Sequence, residues 1–194
     1  METRSDAYAA RLERLSAAGW RRWLDVRGPS RRHLRRLSLG RTLDLGCGIG
    51  RHLLHLPAGS VGVDHNAHAI EAVRRLGGEA YLPAEFRASP HAAEPFDSLL
   101  CAHVVEHMSH AEAEQLLAAW IPFVRSGGRV VLIAPQEAGQ RADPTHVELF
   151  DLSTLVELLL RLGCRPERAY SFPFPRFVGR VFPHNESVAV GRRP

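Results

Sequence analysis

Leu43-Asp44-Leu45-Gly46-Cys47-Gly48-Ile49-Gly50 is the stretch on which the fold of this 194-residue chain turns. A short apolar run ends in three glycines at alternate positions, which predicts a strand over 41–45 turning into a helix at about 50–56. Side chains at these positions would block the close approach of a ligand, and glycine reaches backbone angles closed to other residues. The turn is therefore expected to present backbone N–H groups at a helix start. Further on, Val61-Gly62-Val63 reads as a second strand ending in Asp64, a carboxylate placed to grip the two hydroxyls of a ribose. In the dinucleotide fingerprint a further glycine falls three residues after Gly50, but here that residue is Leu53, which argues against pyrophosphate.

Outward from this turn, short apolar runs alternate with helical patterns, the signature of a parallel sheet covered on both faces. Strands are predicted at 41–45, 60–64, 79–82, 97–101 and 129–134, with helices at 50–56, 67–76, 110–123 and 152–162. Gly127-Gly128 is read as the stop between the long helix and the fifth strand. Cys164 to Tyr170 and Glu186 to Val190 read as two more strands, joined by the aromatic and proline-rich Ser171 to Pro183, a lip over a pocket. Before the turn, Ala7 to Leu24 sets Leu12, Leu15, Trp20 and Trp23 at helical spacing, followed by a basic linker. The expected division is 1–40, helix and linker, and 41–194, the main domain.

The glycine turn, Asp64 and the order of elements from 41 to 134 resemble the class I S-adenosylmethionine-dependent methyltransferases, of the type 11/12 kind. The resemblance implies a Rossmann-like α/β fold, with a mostly parallel seven-stranded sheet, helices on both faces and an antiparallel C-terminal strand. It also implies S-adenosyl-L-methionine as cofactor. Asp44, Gly46, Cys47, Gly48 and Gly50 would line its methionine end, Asp44 near the ammonium group directly or through water. Asp64 would hold the ribose, His65 would lie beside the adenine, and Ala84-Glu85-Phe86 would form the adenine-contacting loop.

Phe96 to His107 supplies the fourth strand and the loop at its carboxyl end, the end that faces the ligand crevice in open α/β sheets. That loop carries His103, Glu106 and His107, and His103 also borders the expected cofactor site. Methyl transfer from a sulfonium needs in-line alignment and a nucleophilic acceptor, and a hydroxyl calls for a positioned base or a metal that lowers its pKa. The loop resembles that of the ubiquinone-biosynthesis O-methyltransferases, whose Glu-x-x-Glu-His pattern is associated with a divalent cation. His103 replaces the first glutamate, so manganese, iron or zinc would be tolerated better than magnesium. His146, in Asp143-Pro144-Thr145-His146 after the fifth strand, is the fourth candidate ligand or the general base. Catalysis and metal binding are thus both assigned to His103, Glu106, His107 and His146. His103 to His107 also matches the H-x-x-E-H pattern of inverted zinc peptidases, but that motif requires a helix. His52, His55, His68, His91 and His110 are read as surface residues.

All 25 basic residues are arginine, and eleven lie in residues 1–41 against four acids. Arg21, Arg22, Arg31, Arg32, Arg35 and Arg36 read as a solvated face, with nucleic acid not expected as a partner. Cys47, Cys101 and Cys164 make no disulfide framework, and no apolar run reaches the ~20 residues that span a bilayer. A soluble cytoplasmic enzyme with no membrane partner is expected. It would be an O-methyltransferase acting on a small molecule or glycan, a sugar included. The short layout also resembles the small 1-O-methyltransferases of methylmannose polysaccharide assembly. The alternatives are an RNA methyltransferase using the arginine-rich segment, N- or C-methylation of a small molecule, and a non-catalytic cofactor-binding module. The expected acceptor walls are the N-terminal helix, Pro135 to Phe150 and the lip from Phe172 to His184. That lip would also serve as a homodimer contact.

Overall fold

The apolar runs around the glycine turn form the buried middle of a seven-stranded sheet in the computed structural model, which describes residues 28–194. The strands are β1 Thr42–Leu45, β2 Val61–Val63, β3 Ala80–Tyr81, β4 Phe96–Ala102, β5 Val124–Pro135, β6 Arg165–Phe172 and β7 Glu186–Arg192. Their order is β3-β2-β1-β4-β5-β7-β6. The first five are parallel, and β7 inserts antiparallel between β5 and β6, so the expected sheet and its reversed C-terminal strand are both found. Every residue of β1 and β2 is buried, as both faces of central parallel strands must be.

Side-chain alternation along β4 divides the core. Leu99 and Cys101 face Leu43, Phe86, Trp120 and Leu155, whereas Leu100 and Ala102 face Leu34, Leu37, Val131 and Val190. Among the described residues, six helices cover the two faces: α1 Gly28–Leu37, α2 Ala67–Arg75, α3 Pro83–Ala88, α4 His110–Trp120, α5 Glu137–Ala142 and α6 Leu152–Arg161. Their starts are written in the sequence. Asn66 accepts the amides of His68 and Ala69, Ser109 and Glu112 close a capping box, and Asp151 accepts the Thr154 amide at 2.9 Å.

Several elements differ from expectation. The helix predicted over 50–56 is a single 3₁₀ turn, Leu53–His55, because the glycines before it hold left-handed angles and Pro57 bars residue 56 from helical geometry. The predicted helix 110–123 stops at Trp120, where Pro122 breaks the hydrogen-bond ladder and a 3₁₀ turn follows. Gly127-Gly128 is not a helix stop but an excursion within β5, between the pairs Phe96↔Val124 and Ser98↔Arg129. The basic stretch expected as a linker is α1, with Pro29 at its start, and it packs Leu34 and Leu37 on the sheet. Helices α3 and α5, six residues each, are too short to show a period. The helix predicted over Ala7 to Leu24 lies outside the described residues. Among the described residues, no helix is long and apolar enough to cross a membrane, and the three cysteines are buried thiols.

Candidate active site

The carboxyl ends of β1, β2, β4 and β5 converge on one crevice. At its floor the glycine turn folds back on β2: the Gly46 and Cys47 amides both donate to Val63 O, at 2.7 and 3.1 Å, and the Gly50 amide donates to Cys47 O at 2.9 Å. The Gly48 amide donates to Asp64 Oδ2 at 2.9 Å, while the Asn66 amide holds Asp64 Oδ1 at 2.8 Å. These amides are spent within the protein, unlike the open N–H cradle expected from the sequence. The glycines serve space instead. Gly48, with φ at 51°, faces open room where a Cβ would meet nothing within 4 Å, whereas a Cβ on Gly46 would strike Val104.

Asp44 lies beneath this opening, 2 % exposed, with Oδ2 lacking any hydrogen bond. Burial, followed by the nearby Asp64 charge, pushes its carboxyl up to about 7 against the pull of one backbone amide. An orphaned buried carboxylate under an open glycine turn fits a cationic group arriving from above. The ammonium of S-adenosylmethionine is such a group, so the site passes a test of fit for this cofactor. Asp64 closes the end of β2 with both oxygens held by backbone amides, and His65 beside it is exposed, its Nδ1 3.6 Å from Asp64 Oδ1. Cys47 packs under the turn, its thiol raised by burial and by Asp44. Ala84-Glu85-Phe86 is not a loop but part of α3. Glu85 there accepts the Leu82 amide and pairs with Arg74 at 2.8 Å, and Phe86 is wholly buried against Trp120, Phe96 and Phe123.

The other wall begins at His103, whose φ of 58° bends the chain sharply at the end of β4. Its side chain, 40 % exposed, lies between two carboxylates: Nε2 is 3.0 Å from Glu186 Oε1 and Nδ1 is 3.3 Å from Glu106 Oε1. Burial lowers its proton affinity, but the hydrogen bonds and charges of Glu106 and Glu186 outweigh that and raise the imidazole to about 10. Glu106 is wholly buried, and neither carboxylate oxygen has a hydrogen bond of good geometry. Its carbonyl accepts the Val147 amide at 2.7 Å, which draws the loop after β5 against the loop after β4.

That junction brings Glu106, His107 and His146 together, with one ligand atom from each within 4.8 Å of the others. His103 is not part of this set. His107 Nδ1 lies 3.3 Å from Thr145 O, and His146 Nδ1 lies 3.3 Å from Gln140 O. A carbonyl only accepts, so these contacts put the proton on Nδ1 and leave the Nε2 lone pair to bind. A wholly buried carboxylate beside two such imidazoles fits a divalent cation.

Two residues of this wall were not anticipated. Glu186 enters through the β5–β7 register, which pairs it with Pro135, and nothing local in the sequence marks it. His52, read as a surface residue, is half-buried with its ring 6.4 Å from that of His103, and burial with the His103 charge lowers it to about 4. The failed helix at 50–56 turns it inward. The lip between β6 and β7 carries a 3₁₀ turn, Arg176–Arg180, and sits on α5 through a two-pronged Arg176–Glu137 ion pair at 2.5 and 2.6 Å. The Asn185 side chain ties its two ends together at Gln136, Ser171 and Phe174.

A family model described as Methyltransferase domain matches residues 43–132. No curated protein matches the chain in sequence. Among solved structures, an S-adenosylmethionine-dependent methyltransferase from Archaeoglobus fulgidus aligns with a TM-score of 0.66 at 20% identity, over 84% of this chain and 93% of that one. The Haloferax volcanii protein solved in complex with the Trm112 methyltransferase activator aligns at 0.70 and 16%, covering all of both chains. The magnesium protoporphyrin IX methyltransferase of Synechocystis, solved with bound S-adenosylhomocysteine, aligns at 0.61 and 14%, over 92% and 95%. At such identities the likeness carries the fold, which is the one built above.

Proposed function

The chain carries a class I S-adenosylmethionine-dependent methyltransferase domain, and from that premise we propose that it methylates a hydroxyl of a small molecule or glycan. The observation that carries this reading is the wholly buried Glu106 carboxylate, paired with His103 on one side and set against His107 and His146 where the acceptor would stand. A hydroxyl is a weak nucleophile, and such a group is what its activation requires.

Asp44 and Asp64 hold the cofactor by its ammonium and ribose ends, with Gly48 leaving room for the chain between. His103 carries its proton at neutral pH and therefore acts as a fixed cation at the crevice wall, not as the base. His146 accepts the acceptor's proton. When bound, S-adenosylmethionine would supply its sulfonium methyl to the acceptor's oxygen, giving S-adenosylhomocysteine and a methyl ether. In the alternative arrangement, with His146 a ligand and not the base, Glu106, His107 and His146 would hold a divalent cation, which would supply charge to lower the acceptor's pKa so that its proton passes to water. Two imidazoles and one carboxylate suit manganese, iron or zinc.

The test is an acceptor screen with labelled methyl donor across glycans, phenols, quinone precursors, amines and RNA. Label on a hydroxyl acceptor is expected, with turnover lost in His146→Ala while cofactor affinity stays; label confined to amines or RNA contradicts the reading. For the cation, cobalt(II) titration is expected to give a visible ligand-field band that Glu106→Gln abolishes. No band in the wild-type protein removes the metal from the account.

A further inference from the structure

Arginines gather at the opposite end of the sheet from the cofactor crevice. Arg129 on β5 stands directly beside Arg192 on β7, which in turn stands beside Arg165 on β6. In-register neighbours project to the same face, so three like charges lie abreast across three strands, an arrangement that repels itself unless counter-charge is near. Next to this row, at the amino end of the parallel strands, lies a half-open cavity of about 340 Å³, lined by Ser38, Gly40, Asp97, Arg125, Arg129 and Arg192.

The acids present are already engaged. Asp97 accepts Arg125 Nε at 2.8 Å and the Arg41 amide at 2.9 Å, and a Cβ on Gly40 would strike its carboxylate. Glu167 accepts Arg192 Nε at 2.6 Å but stands 3.9 Å from Arg129 Nε, which is buried with no hydrogen-bond partner. Arg129 is oriented from behind, its Nη1 donating to Leu37 O and Ser38 O at the end of α1. Arg125, Arg129, Arg165 and Arg192 set against Asp97 and Glu167 leave two positive charges uncompensated.

We propose that this cavity is a binding site for a phosphate monoester, separate from the methyl-transfer crevice. Planar guanidinium groups in a fixed fork are the side chains that match phosphate oxygens. The dianion would neutralise the residual charge. A volume at the lower end of the small-molecule range admits the phosphate and a sugar-sized body. Because the strands separate the two ends, the ligand is a second small molecule and not the tail of the methyl acceptor.

The experiment is calorimetry and thermal melting with inorganic phosphate and ribose 5-phosphate, at ionic strength held constant with chloride. S-adenosylhomocysteine is present throughout to fill the cofactor crevice. One site per chain and a raised melting temperature are expected. Arg125→Gln, at a half-exposed position where folding is spared, and Arg192→Gln are each expected to weaken ribose 5-phosphate binding at least tenfold with cofactor affinity unchanged. No binding at matched ionic strength, or equal binding in both variants, overturns the proposal. So does a 5′-hydroxyl oligoribonucleotide that binds through these arginines when ribose 5-phosphate does not, since the face would then read a phosphodiester backbone.

Discussion

Asp44 and Glu106 are buried carboxylates in different halves of the crevice: Asp44 Oδ2 has no hydrogen-bond partner, whereas Glu106 is paired with His103 at 3.3 Å. Leaving a buried polar group unpaired costs about 1–3 kcal/mol, so Asp44 holds strain that a ligand relieves. For Asp44 the sign follows from its raised carboxyl. The cofactor-free protein binds a proton there that the unfolded chain gives up, so this contribution to stability is present below about pH 4 and lost as pH rises through about 7. Asp44→Asn is therefore expected to melt higher than the wild type above pH 7 and lower in cofactor affinity by tenfold or more. The two melting curves measured across pH 4–8 should converge at the acid end. Cofactor binding near pH 6 should also release protons, read by calorimetry in buffers of different ionisation enthalpy. The signal for Asp44 and Asp64 was legible because both sit at strand ends within one local motif. His103 was legible as a residue but not in its role, since its protonation depends on Glu186, which lies 83 positions away.

Elements carry the reading less evenly. The strands β1, β2, β4 and β5 and the capped helices α2, α4 and α6 are visible as apolar runs between turn residues, because their burial is continuous or periodic. The turn at 53–55 and the helices α3 and α5 are set by glycine angles, prolines and tertiary packing, which leave no period to read. That is why His52 and Phe86 were misplaced and why Glu106, His107 and His146 converge without His103. The lip makes a prediction of its own. The Arg176–Glu137 pair is partly exposed and worth about 1 kcal/mol or less to global stability. Arg176→Ala is expected to leave the melting temperature and cofactor affinity nearly unchanged while raising the KM for the acceptor; an unchanged KM would remove the lip from the acceptor wall. On the other face, Leu37→Ala should cost about 2–4 kcal/mol by urea denaturation, because α1 closes the core over Val131 and Val190. A change within 0.5 kcal/mol would mean that α1 is dispensable to the sheet.

Across the whole molecule, one sheet separates two chemistries. Its carboxyl end gathers acids and imidazoles around an open glycine turn, and its amino end gathers arginines around a half-open cavity. The long-range pairing of β7 between β5 and β6 serves both, placing Glu186 at one end and Arg192 at the other. The account stands on the cofactor crevice, and titration of S-adenosylmethionine into the wild-type protein and Asp64→Ala by calorimetry tests it most directly. One site per chain is predicted in the wild type, with binding lost in Asp64→Ala while the variant still melts cooperatively. No binding heat in the wild type, or equal affinity in the two proteins, would contradict it.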